Sequence, residues 1–145
     1  MSTYVIDASV AVKWVIAEPF HVEAKRFVNP SFTLLVTGHF LLECASAIQK
    51  KVWRKEIHQD DGWHAYEILR DYERLFFVST YDLLPKAYVI ASQYWHSIHD
   101  CISLALALQK DAIVVTADRK FYDQIHDTDL ANLIAWVEDP PVLAE

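Results

Sequence analysis

Four carboxylates stand at positions where an acid needs a reason. Asp7 directly follows the β-prone run Tyr4-Val5-Ile6, and Asp118 follows Ile113 to Ala117, another continuous apolar run with a threonine inside it. In open α/β sheets the active crevice lies beyond the carboxyl ends of the strands, so both acids are expected on one edge of a parallel sheet. Glu43 lies between Phe40 and Ala47 on a helix face flanked by apolar side chains, where an isolated ionised carboxylate is expensive to bury. Asp100 opens an alanine- and leucine-rich helix, where it is expected to cap the helix, to enter a metal site, or both. Taken singly, each acid has an ordinary reading as a turn residue, an N-cap or a half-exposed helix position. Taken together, four carboxylates gathered in one small domain would repel one another unless protons or cations intervened, and hard oxygen donors suit Mg²⁺ or Mn²⁺.

The elements that must position these acids follow from periodicity. Tyr4 to Ile6 reads as a strand, followed by helical spacing through Val10, Ala11, Trp14 and Val15. Phe32 to Val36 reads as a second strand, with Thr37 as a cap for a helix marked by Leu41, Cys44, Ala45, Ile48 and Val52. Lys50, Lys51, Arg54 and Lys55 cluster in its last turns, where cations complement the helix dipole. Asp60-Asp61-Gly62 is expected to break the pattern, with an amphipathic helix starting at Trp63 and running past Tyr66, Ile68, Leu69 and Tyr72. Phe76 to Ser79 reads as a short strand, Pro85 as the start of a helix through Val89, Ile90 and Tyr94, and Asp100 as the start of one ending near Lys110. Ala112 to Thr116 lacks alternation, as in a parallel strand covered on both faces, and Leu133 to Val137 completes the set. Alternating strands and helices imply an α/β layer fold.

Composition narrows the chemistry. The 145 residues are expected to form one domain, 1–145, with its core over about residues 4–137. With only two glycines, Gly38 and Gly62, a Walker loop, a GxGxxG fingerprint and a GxSxG nucleophile elbow cannot be written. The formal charge of −7 argues against broad sequence-independent binding to phosphate backbones, though not against a local basic patch. Cys44 and Cys101, the only cysteines, show no CxxC spacing, which points away from disulfides and zinc and towards a reducing, cytoplasmic setting. No basic leader and no apolar run of membrane-spanning length is visible, so no membrane association is expected.

The segments Val5-Ile-Asp-Ala-Ser9, the Glu43 helix, His99-Asp-Cys-Ile-Ser-Leu-Ala-Leu-Ala107 and Val114-Val-Thr-Ala-Asp-Arg-Lys-Phe121 resemble, in order, those of the PIN-domain nucleases, most closely the VapC-like toxins of toxin-antitoxin pairs. The resemblance covers about Tyr4 to Val137 and implies a three-layer α/β/α domain with a mainly parallel central sheet. It further implies a Mg²⁺- or Mn²⁺-dependent endoribonuclease with Asp7, Glu43, Asp100 and Asp118 as catalytic and metal-binding residues, supported by the hydroxyls of Ser9 and Thr116. Some family members carry a polar or acidic group where this chain has Lys120, which puts a complete second metal site in doubt. Arg119 and Lys120, at the rim of the expected site, are candidates for contact with substrate phosphate. A cognate VapB-like antitoxin and a homodimer are the partners implied.

Other readings compete. A nucleophile at Cys101 or Ser103, assisted by His96 or His99, lacks an oxyanion motif, and Cys101 and Asp100 point about 100° apart on a helix. The tryptophans and tyrosines could stack bases, but at helical spacing they more often serve core or interface. A helical hairpin spanning Leu41 to Val52 and Trp63 to Phe76, with Trp53 beside it, offers more aromatic surface than a small domain readily buries, and is the expected antitoxin seat. The alternatives to a toxin are an RNA-processing PIN enzyme and a non-catalytic PIN-like scaffold.

Overall fold

The computed structural model describes residues 2–143. Its strands are β1 (Ser2–Ile6), β2 (Phe32–Thr37), β3 (Leu75–Val78), β4 (Ile113–Thr116) and β5 (Ile134–Trp136), all paired in parallel in the order β3-β2-β1-β4-β5. β1 is central, with Val5 opposite Leu35 of β2 and Val114 of β4. The strand sequences do not alternate because both sheet faces are covered. Tyr4, Ile6, Leu34 and Val36 face one core, built with α1 (Ala8–Val15), α2 (His21–Lys25), α3 (Phe40–Trp53) and α4 (Gln59–Arg70). Val5, Leu35 and Val114 face the other, built with α5 (Thr80–Tyr94), α6 (Ile98–Lys110) and α7 (Arg119–His126). The three-layer α/β/α architecture expected from the sequence is what the chain forms.

Several element starts differ from expectation, and three of them have a clear local reason. α4 begins at Gln59 and carries Asp60, Asp61 and Gly62 inside it. The two acids suit the positive end of the helix dipole, and His58 Nδ1 accepts the Asp60 N–H at 3.1 Å. Gly62 marks a close approach rather than a turn, because a Cβ there would lie 2.7 Å from Val52 Cγ2 on α3. α5 begins at Thr80, so Pro85 lies within it. The proline removes one N–H and leaves the Tyr81 carbonyl, in an exposed first turn, without its helical donor. Thr37 ends β2 and is buried, and the N-cap residue of α3 is His39. The short α2 and α7 were not marked by the apolar spacing.

Parallel pairing puts all five strand ends on one edge. The connections run outward from β1 through β2 to β3 on one side and through β4 to β5 on the other, so the order reverses between β1 and β4. That reversal opens a crevice beyond the ends of these two strands, where Asp7 and Asp118 follow.

Candidate active site

Asp7 takes the N-cap position of α1, yet its side chain makes no capping bond. Its Oδ2 instead accepts hydrogen bonds from Ser9 Oγ at 2.5 Å and Thr116 Oγ1 at 2.8 Å. Each hydroxyl is used in both directions, since Ser9 Oγ accepts the Ala117 N–H at 2.9 Å and Thr116 Oγ1 accepts the Asp118 N–H at 3.0 Å. With both hydroxyl protons committed to Asp7, the 3.3 Å separation of Ser9 and Thr116 is a packing contact. One lattice of hydroxyls therefore fixes the β1 end to the β4 end.

Asp118 performs the ordinary task of a strand-end acid: its Oδ1 accepts the Phe121 N–H at 3.2 Å and caps α7. Asp100, expected as a possible cap, does not cap α6, whose first residue is Ile98 and whose N-cap residue is Ser97. Its Oδ2 lies 2.9 Å from His96 Nε2. Glu43, in the first turn of α3, pairs with His39 Nε2 at 2.6 Å and is partly exposed.

The electrostatics tie the four acids together. Burial pushes the Asp7 carboxyl up to about 6 from its ordinary 3.8, the Ser9 and Thr116 hydroxyls pull it down, and the charges of Glu43 and Asp100 raise it further. Asp100 is raised first by burial, lowered by His96, and raised again by the charges of Asp118 and Glu43. Asp7 thus responds to two of the other acids and Asp100 to two, so the set shares one field. Among the described residues, however, no three of these side chains converge into a ready-made metal cage. The donor set fits a hard divalent cation in chemistry and in its excess of negative charge, while Asp100 and Glu43 stand engaged by histidines.

Around this cluster, Arg119 lies across the Trp136 ring, 4.2 Å from its centroid, with Asp123 at 3.6 Å, and remains largely exposed. Lys120 beside it is exposed. Lys51, from the expected basic face of α3, is held at 2.5 Å by Glu18 and at 3.3 Å by Glu56, which leaves Lys50, Arg54 and Lys55 as the exposed cations there. Cys44, Cys101 and Ser103 are buried. Burial, then the Asp100 charge, pushes the Cys101 thiol up to about 11, which disfavours the thiolate a nucleophile requires. Away from the acids, a cavity of about 830 Å³ lies between α3 and α4, lined in part by Leu42, Val52, Trp53, Trp63 and Tyr66. Leu42, Trp53 and Trp63 there are exposed.

Sequence reasoning singled out the four acids and two hydroxyls but passed over His39, and considered His96 only as part of a dyad. The signal was present as a histidine four residues before each helix-borne acid.

The PIN domain family matches this chain over residues 4–125. The chain belongs to the PIN-domain family, as its motifs led one to expect. Among solved structures it resembles PAE2754 of Pyrobaculum aerophilum, with a TM-score of 0.70 at 14% identity over 94% of this chain and 85% of that one. It also resembles VapC20 of Mycobacterium tuberculosis, a sarcin-ricin loop cleaving toxin, with a TM-score of 0.68 at 17% identity over 95% of this chain and 99% of that one. VapBC2 of Rickettsia felis, solved with a promoter DNA fragment, gives a TM-score of 0.60 at 15% identity over 92% and 98% of the respective chains. At these identities the likeness concerns the fold. No curated protein matches the chain.

Proposed function

We propose that this chain is a Mg²⁺- or Mn²⁺-dependent endoribonuclease and the toxin of a VapBC-type pair. The observation that carries the reading is the gathering of Asp7, Glu43, Asp100 and Asp118 about the β1/β4 reversal, where Glu43 and Asp100 add to the burial that raises Asp7, and Asp118 and Glu43 to the burial that raises Asp100. Membership of the PIN family and the fold shared with VapC20 support it.

The four acids are the groups that would hold the ion, which when bound supplies Lewis acidity to a phosphodiester and a more acidic water. Ser9 and Thr116 fix the orientation of Asp7 by occupying Oδ2. Asp118 is tethered by its cap to α7, so its place relative to the strand end is set by backbone. Arg119, 4.2 Å from the Trp136 ring centroid with its side chain accessible, would meet a phosphate of the RNA, and Lys120 would add a point charge to the same rim. The raised thiol of Cys101 and its burial disfavour a covalent route through that residue, and Ser103 is buried as well. Incubating labelled RNA with the purified chain tests the reading: cleavage should stop in EDTA, return with Mn²⁺, and be lost in Asp7→Asn and Asp118→Asn. Undiminished cleavage in a metal-free preparation overturns it.

The partner reading rests on the α3/α4 cavity, whose exposed Trp53, Trp63 and Leu42 form an apolar seat for a VapB-like antitoxin helix. From that seat the antitoxin would extend a basic side chain among the four carboxylates, replacing the cation's charge and blocking phosphate. The chain would act as a homodimer in the cytoplasm, a reducing compartment in which its two buried free thiols are stable. Among the described residues no helix is long and apolar enough to cross a membrane. Growth inhibition that a co-expressed neighbouring gene product fails to relieve would remove the antitoxin assignment while leaving the nuclease reading intact.

A further inference from the structure

We propose that His39 and His96 are positioning residues, each holding one helix-borne carboxylate, Glu43 and Asp100 respectively, in place for the divalent cation through a single ring N–H. The inference rests on the reading of the acidic cluster as a cation site.

The two pairs share one design. Each histidine lies four residues before its acid, at the start of a helix: His39 is the N-cap residue of α3, and His96 immediately precedes Ser97, the N-cap residue of α6. A helix start already favours a carboxylate and disfavours a cation, so neither histidine helps its helix by being charged. What the ring supplies is direction.

Each ring is itself fixed by contacts outside its own helix. His96 is only 8% exposed and stacks on Phe121 at 5.5 Å with 21° between planes, and Phe121 belongs to the second core. His39 presents Nδ1 to Thr80 Oγ1 at 3.1 Å, across to the first residue of α5. A neutral His39 with its proton on Nε2 satisfies both neighbours: it donates to Glu43 and accepts the Thr80 hydroxyl. That arrangement depends on Gly38, since a Cβ there would lie 2.9 Å from Thr80 Oγ1 and 3.1 Å from Thr80 N. Metal-binding carboxylates are oriented by hydrogen-bonded outer partners, and here that partner is a ring anchored at its other end. In Asp100 the bond engages Oδ2, and in Glu43 it engages Oε1; each carboxylate keeps a second oxygen with which to meet an ion.

The test is Mn²⁺ binding to the full chain, read from the resonance of free Mn²⁺, for wild type, Asp7→Asn, His39→Phe, His39→Gln, His96→Phe and His96→Gln. Thermal unfolding in EDTA serves as the control for folding. Phenylalanine keeps the ring and removes the donor, whereas glutamine restores an N–H close to the original Nε2. Each Phe variant should bind Mn²⁺ about 10–100-fold more weakly, with the Gln variant recovering most of the loss and unfolding in EDTA close to wild type. Wild-type affinity in both Phe variants overturns the proposal, as does tighter binding, which would make the histidines competitors of the ion. Gln variants no better than Phe variants would reduce the effect to packing and overturn it too. If a Phe variant does not fold, Thr80→Val reads the His39 arm with the ring retained: weakened binding supports the role and unchanged binding overturns it. Failure of the underlying site reading is distinct, because wild type and Asp7→Asn would then bind Mn²⁺ alike.

Discussion

Replacing Asp7 by Asn should make the metal-free protein more stable at neutral pH. The Asp7 carboxyl is pushed up to about 6 from 3.8, first by burial and then by Glu43 and Asp100. Its folded value therefore lies above its unfolded one, so the stability it contributes is fully present below about 3.8 and is lost as pH rises through about 6. A difference of 3.8 to about 6 corresponds to about 3 kcal/mol, at about 1.36 kcal/mol for each factor of ten in proton affinity. Asp7 retains some solvent contact, which screens part of this, and a gain of about 1–3 kcal/mol is expected at pH 7. The amide oxygen can still accept from Ser9 and Thr116. Urea unfolding in EDTA at pH 4, 5, 6 and 7 measures the effect. The gap between variant and wild type should be small at pH 4 and grow towards pH 7, and Mn²⁺ should raise the wild-type midpoint while leaving the variant's almost unmoved. A variant less stable than wild type at pH 7, or a gap independent of pH, would refute the claim that Asp7 is held charged against the preference of the fold.

Thr116→Val deprives Asp7 of a donor and the Asp118 N–H of its acceptor; stability should fall by about 1–3 kcal/mol, and the pH at which the Asp7→Asn gap levels off should move upward. Gly62→Ala sets a methyl 2.7 Å from Val52 Cγ2, a β-branched group with little room to turn. Urea unfolding should show a loss of about 1–3 kcal/mol despite the better helix propensity. Arg119→Ala should lower RNA affinity and reduce the slope of log affinity against log salt by about one, with thermal stability changed by less than about 1 kcal/mol, since its Asp123 pair is exposed.

The strands near the site were legible because a parallel strand covered on both faces writes itself as an unbroken apolar run, and Tyr4–Ile6 and Ile113–Thr116 both do. The acids that follow them were legible for the same reason: a charge ending such a run has a defined place. The beginnings of α4 and α5 were not. Gly62 and Pro85 are punctuation in local grammar, whereas here one serves contact with Val52 and the other sits in an exposed turn. The histidines were hidden differently. An i, i+4 histidine-acid pair is common on solvated helices, and what sets these apart is Phe121 and Thr80, brought to the rings by the fold. Lys51 likewise looked like part of a free basic face until Glu18 reached it from the loop before α2.

The hydroxyl lattice around Asp7 has a consequence for the order of events during synthesis. Its bonds join residues 108 and 109 positions apart, Ser9 to Ala117 and Asp7 to Thr116. Central strand β1 is made well before the β4 neighbour it pairs with, Val5 being opposite Val114, and contacts of such separation form late because the intervening loop must first be closed. Until then Asp7 lacks a hydroxyl partner on β4, Asp118 has not been placed beside it, and the nascent chain presents isolated acids. On the proposed reading the nuclease is silent until β4 has been made and has joined β1.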